Sequence, residues 1–154
     1  MTITADHTLS PNEQLEEWRD DMVTLAFNAY YGDHYDTHSL AIVANALEDV
    51  RVRDVLIWYV SGVRTEQLHD ARAVLRTMWE DGNQTAPVAT FIAIIQIFLN
   101  DTDEAMAWAG RALVKNSTYS LAHLCWVSLI NKLPASELKP MFNAMDYETV
   151  RYGS

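Results

Sequence analysis

The chain has 154 residues and a formal net charge of −10, with 21 acids against 11 bases, a length that suits one domain and a charge that disfavours direct binding to DNA, RNA or an anionic membrane surface. A hydrophobic fraction of 49% beside 21% charged residues, with five Gly and four Pro, excludes a disordered or collagen-like chain. Its single cysteine, Cys125, excludes an internal disulfide and fits a reducing cytoplasm, the expected location.

The first residues, MTITADHTLSP, lack the basic start and apolar run of a secretory signal. Ser10, Pro11 and Glu13 then form a helix start: the Ser hydroxyl can accept from the third helical N–H, Pro suits the first turn, and Glu13 can reach back to the cap. The spacing predicts a first helix over 11–30. At 100° per residue, Leu15, Trp18, Met22, Leu25, Ala26 and Ala29 fall on one side and Glu13, Glu16, Glu17, Asp20 and Thr24 on the other, with Asp21 at the margin. Residues 32–38 read as a polar connection. A short second helix follows over 39–47, carrying Leu40, Val43, Ala44 and Leu47. A third begins near Asp49, carries Val52, Val55, Leu56 and Tyr59, and stops at Ser61-Gly62. Thr65 caps a fourth, with Leu68, Ala71, Leu75, Met78 and Trp79 inward, and residues 80–86 form a loop.

Residues 87–99 are apolar all round, as a buried central helix requires, although the β-branched side chains would also tolerate a strand. The apolar stretch 86–99 includes Pro87, Thr90 and Gln96 and falls short of the ~20 residues that span a bilayer. Asp101 with Glu104 three residues later gives another capping pattern for a sixth helix over 102–114. Residues 115–118 break it, a seventh covers 119–133 until Pro134 stops it, and Ser136 caps a short eighth ending near Met145. Residues 1–10 and 147–154 are expected to be flexible tails. The fold class is therefore all-α: a single domain over 1–154 of about seven or eight antiparallel helices joined by short connections.

Ala105, Ala109 and Ala112, followed by Ser117, match the small-residue spacing of the second helix of a tetratricopeptide repeat. Ala71, Leu75 and Met78 stand one such period, 34 residues, earlier. The positions of that repeat's first-helix aromatic, leucine, glycine and tyrosine hold Ala89, Ile92, Ala93 and Gln96 instead, and Ser117 replaces its proline. Two amphipathic helices can share this spacing without being repeats. The segments LEDVRVRD (47–54), NDTDEAMAWAGRAL (100–113) and YSLAH (119–123) resemble the C-terminal half of an actinobacterial family known as a domain of unknown function. The resemblance covers residues 40–133, rests on alanine-rich helix packing and Arg53-Asp54, and lacks the N-terminal half that members of the family usually carry. It implies tetratricopeptide-like hairpins in the C-terminal half and an actinobacterial or actinophage origin, and it implies no activity.

Candidate chemistry is sparse. His34 and His38 are four apart with Asp33 and Asp36 beside them, which on a helix would put two metal ligands on one face; a solvated polar loop is the plainer reading, because no third ligand is set by spacing. His69 and His123 read as packing or capping groups. Cys125, between Leu124 and Trp126, reads as a small apolar group in a buried helix. Arg51, Arg53 and Asp54 could form an interhelical ion pair. There is no Gly-rich phosphate loop, nucleophile elbow or paired-cysteine motif.

Charge placement is the most informative feature. Residues 1–36 hold eight acids against Arg19 alone, and the remaining 118 residues hold thirteen acids and ten bases. An ordinary solvated helix face would account for this. The sharper expectation is a non-enzymatic protein–protein interaction module, without cofactor or metal, that docks a basic protein through Glu13, Glu16, Glu17, Asp20 and Asp21, with Phe27 at the edge as an aromatic anchor. The alternatives are an acidic decoy that mimics nucleic acid and occupies the site of a DNA- or RNA-binding protein, and a metal-dependent enzyme using His34 and His38. Homo-oligomers are compatible with the pattern, because an amphipathic first helix could pack on its own chain or on a second copy.

Overall fold

The computed structural model describes residues 36–62 and 65–134, together with positions 10, 13, 14, 17, 18, 21, 24 and 137. Among the described residues there are six continuous helices and no strand: α1 (Thr37–Ala46), α2 (Val50–Ser61), α3 (Thr65–Glu80), α4 (Ala86–Phe98), α5 (Thr102–Lys115) and α6 (Ser120–Ile130). Side-chain caps start four of them. Asp36, Asp49, Thr85 and Asp101 accept from backbone N–H groups of the first turns of α1, α2, α4 and α5, replacing partners that a helix start lacks.

Helix α4 is the centre. All thirteen of its residues are buried, and it packs against α2, α3, α5 and α6. Phe91, Ile92, Ile94 and Ile95 are almost completely enclosed, each worth about 1.5–3 kcal/mol of burial. The broadest contact is between α4 and α5, where Ala105, Ala109 and Ala112 are fully buried; side chains of one carbon let the two helix axes approach closely.

The three reversals after α3, α4 and α6 share one geometry. Gly82, Asn100 and Lys132 lie in the left-handed region, with φ of 100°, 61° and 56°. The N–H of each donates to a carbonyl three residues back, Trp79, Ile97 and Leu129, and the N–H of the following residue donates five back, to Met78, Gln96 and Ser128. This pairing is the Schellman motif, which satisfies carbonyls left open at a helix end.

The structure corrects several expected boundaries. Six of the expected helices are continuous among the described residues; Glu13, Gln14, Glu17, Trp18, Asp21 and Thr24 in the first predicted helix are helical, as is Glu137 in the eighth, and the rest of both lies outside the described residues, as do the expected tails apart from Ser10. Helix α1 starts at Thr37 rather than Ser39, because the Asp36 carboxylate takes the Ser39 N–H at 2.7 Å. Helix α6 ends at Ile130, three residues early, because Lys132 turns left-handed before Pro134 can act. Tyr59 and Trp79 are only partly buried, packed at the margin of the core.

The left-handed sites can be separated from packing by substitution. An added Cβ at Gly82 meets nothing within 4 Å, so Gly82→Ala should cost about 1–2 kcal/mol from backbone strain alone, while Lys132→Gly should stabilise by about 1 kcal/mol. Urea unfolding of both variants reads the result; equal midpoints for the two would contradict the assignment.

Candidate interaction surfaces

At the N-terminal helix the expected cap is present in both directions. The Ser10 N–H donates to Glu13 Oε1 and the Glu13 N–H donates to Ser10 Oγ, each at 3.3 Å, a reciprocal pair that fixes where the helix begins. Glu13 and Glu17, one turn apart, are exposed with Thr24, and Asp21 is half-buried. Trp18 turns the other way and packs against the core of its own chain. Like charges four apart repel by a few tenths of a kcal/mol, and acids near a helix N-terminus recover part of that through the helix dipole. Of the six expected contact residues the structure therefore places Glu13, Glu17 and Asp21; Glu16, Asp20 and Phe27 lie outside the described residues.

A polar clasp joins α2 to the start of α6. Arg53 donates from Nε to Asp54 Oδ1 at 2.9 Å and from a terminal nitrogen to the Tyr119 hydroxyl at 3.0 Å, and its second terminal nitrogen lies 2.8 Å from the same Asp54 oxygen. The expected interhelical ion pair is thus corrected: Arg53 and Asp54 are neighbours on one helix, and the bond that crosses between helices goes to a phenol 66 positions away. Burial pushes the Tyr119 hydroxyl above its ordinary pKa, against the pull of Arg53. A second cluster lies between α3 and α5, where Trp79 and Trp108 meet edge to face with centroids 5.2 Å apart. Arg111 stacks 4.3 Å over Trp108 and Lys115 reaches to 5.7 Å from Trp79, contacts that hold two cations against aromatic faces.

The outer side of α6 is apolar. Leu124, Val127, Ile130 and, just beyond the helix, Leu133 are 56%, 52%, 56% and 40% exposed. Ile130 and Leu133 also border an open cleft of about 650 Å³ whose other apolar walls include Ile97, Met106, Leu129 and Pro134. Asp103 and Lys132 supply charge at its margin. Sequence reasoning missed this surface: an apolar helix was legible in 119–133, but not how much of it the neighbours would leave uncovered.

Of the remaining candidates, His69 and His123 make local hydrogen-bonding contacts. His38 lies in the exposed first turn of α1, His34 is outside the described residues, and the Asp36 carboxyl between them is held below the usual carboxylate range by the Ser39 backbone N–H. His69 accepts at Nδ1 from Arg72 at 3.1 Å, and Arg72 also reaches the buried Gln96 at 3.4 Å. His123 Nε2 meets the Ser117 carbonyl at 2.6 Å, tying the turn before α6. Among the described residues no group of three or more His, Cys, Asp or Glu converges as a metal holder, and no helix is long and apolar enough to cross a membrane. No family model matches the chain, and no curated protein or solved structure matches it.

Cys125 is buried, and burial alone pushes its thiol up to about 12. A folded-state value raised above the unfolded one stabilises the neutral form below the unfolded pKa and loses that contribution as pH rises toward the folded value. Stability of the wild type should accordingly fall between about pH 9 and 12, and Cys125→Ala should show a shallower fall over that window, read by denaturant midpoints at successive pH. Labelling with a thiol reagent at pH 8 should be slow until denaturant is added; fast labelling of the folded protein would contradict the buried placement.

Proposed function

We propose that this chain is a non-enzymatic, all-helical interaction domain of actinobacterial or actinophage origin that docks a basic protein through the acidic face of its first helix. The observation that carries the reading is the exposed pair Glu13 and Glu17 on helical turns whose start is pinned by the Ser10–Glu13 exchange. With Trp18 seated on the core, the carboxylates are held to one side, which lowers the entropy lost when a partner binds. The sequence places Glu16 and Asp20 on the same face, with seven of the ten net negative charges of the chain within residues 1–36; such a field speeds encounter with a cationic partner and repels an anionic one. The proposed origin rests on the resemblance over 40–133, and the tetratricopeptide-like character of the hairpins on the buried Ala105, Ala109 and Ala112 stripe.

Charge reversal tests this without disturbing the helix start. Glu13 is part of the cap and should be changed only to Gln, which keeps the acceptor; Glu16→Lys, Glu17→Lys and Asp20→Lys together invert the face. From nuclease-treated actinobacterial lysate, the wild type should capture a basic protein that the triple variant loses by about tenfold or more, with circular dichroism unchanged and binding weakened by salt. Equal capture by both proteins would reject the acidic face, and displacement of the captured protein by added DNA would turn the reading toward a nucleic-acid mimic.

A further inference from the structure

We infer that the outer side of α6 and the cleft beside it form a contact with a second copy of this chain, in which Ile130 and Leu133 of each copy seat against the cleft of the other and Lys132 of each meets Asp103 of the other. This goes beyond the docking of a basic partner and uses a different face of the molecule.

The face matches itself in shape and in charge. Helix α6 rests on α4 and α5, and on its other side Leu124, Val127 and Ile130 recur every third residue, each more than half exposed. Such an apolar row marks a contact surface, and the hollow that can receive it lies alongside, in the open cleft of about 650 Å³ lined by Ile97, Met106 and Leu129. A two-fold pair needs both halves on one patch, because the same patch is presented by both copies. The charges meet the same condition. Asp103, in the first turn of α5, borders the cleft from one element and Lys132, just after α6, borders it from another; both are exposed, and among the described residues neither is in an ion pair. With a two-fold axis running along the cleft between them, each is carried opposite the group of the other sign on the second copy. A separate protein would have to supply its own matching charges, whereas a second copy already has them in place. Residues 105–134 also hold Arg111, Lys115 and Lys132 and no acid, so two molecules of net charge −10 repel least where these segments meet.

Sedimentation velocity of the full chain from about 5 to 500 µM should show a monomer giving way to a dimer, the behaviour of a small interface. Asp103→Lys and Lys132→Asp, each alone, set like charges opposite one another and should weaken the pair about tenfold. An equimolar mixture of the two variants should dimerise within about threefold of the wild type, because one copy then offers acids at both positions and the other bases. A charge effect inside one chain cannot produce that recovery. Val127→Asp, which touches neither charge, should weaken the pair by about tenfold or more, with circular dichroism showing every variant folded. A chain that stays monomeric throughout, a dimer indifferent to these substitutions, or a mixture no tighter than its components would overturn the proposal. Loss of the dimer on Glu16→Lys with Glu17→Lys and Asp20→Lys would overturn it as well, by assigning self-association to the acidic helix.

Discussion

A helix without a polar side has to be surrounded, and that demand of α4 organises the rest. With every residue from Ala86 to Phe98 buried, α4 cannot lie at a surface; α2, α3, α5 and α6 supply the walls. Its two buried polar side chains are treated differently. Gln96 is reached by Arg72 from α3, whereas the Thr90 hydroxyl has no hydrogen-bond partner, so this site gives up a polar contact to keep the helix enclosed. The alanine stripe of α5 meets the same demand by bringing a neighbouring backbone close enough to leave no gap.

What the sequence made legible was mostly local. The Ser10–Glu13 exchange, the Asp49 start and Gly62 end of α2, and the Asp101 cap of α5 depend on residues within a few positions of one another, and α4 announced itself by composition. Asp36 was read as loop although its side chain starts α1, because four polar residues in a row masked which of them was the cap. Lys132 was missed because a long side chain seldom adopts a positive φ and the adjacent Pro134 offered a simpler stop. The bond between Arg53 and Tyr119 joins positions 66 apart, and nothing in the text of either segment points to the other. For the candidate site, periodicity separated the acidic side from the Trp18 side correctly at the described positions, while the apolar exterior of α6 depends on which neighbours arrive and is invisible to a helical wheel.

The molecule thus has two contrasting exteriors. One is a carboxylate face whose reach is long and falls away with ionic strength; the other is an apolar side and cleft whose influence ends at contact. Among the described residues three cations are held against the body of the chain: Arg53 by Asp54 and Tyr119, Arg111 and Lys115 over tryptophan rings.

The three left-handed reversals carry a consequence for how the chain reaches this state. Each is closed by bonds spanning no more than five positions, and the helices that the first two join, α3 with α4 and α4 with α5, are neighbours in sequence as well as in space. Contacts of such short separation lose little loop entropy on forming, which is the topology of fast-folding chains. A hairpin emerging from the ribosome can close as soon as its second helix is clear of the exit tunnel, with the clasp between Arg53 and Tyr119 sealing the assembly only after α6 has been made.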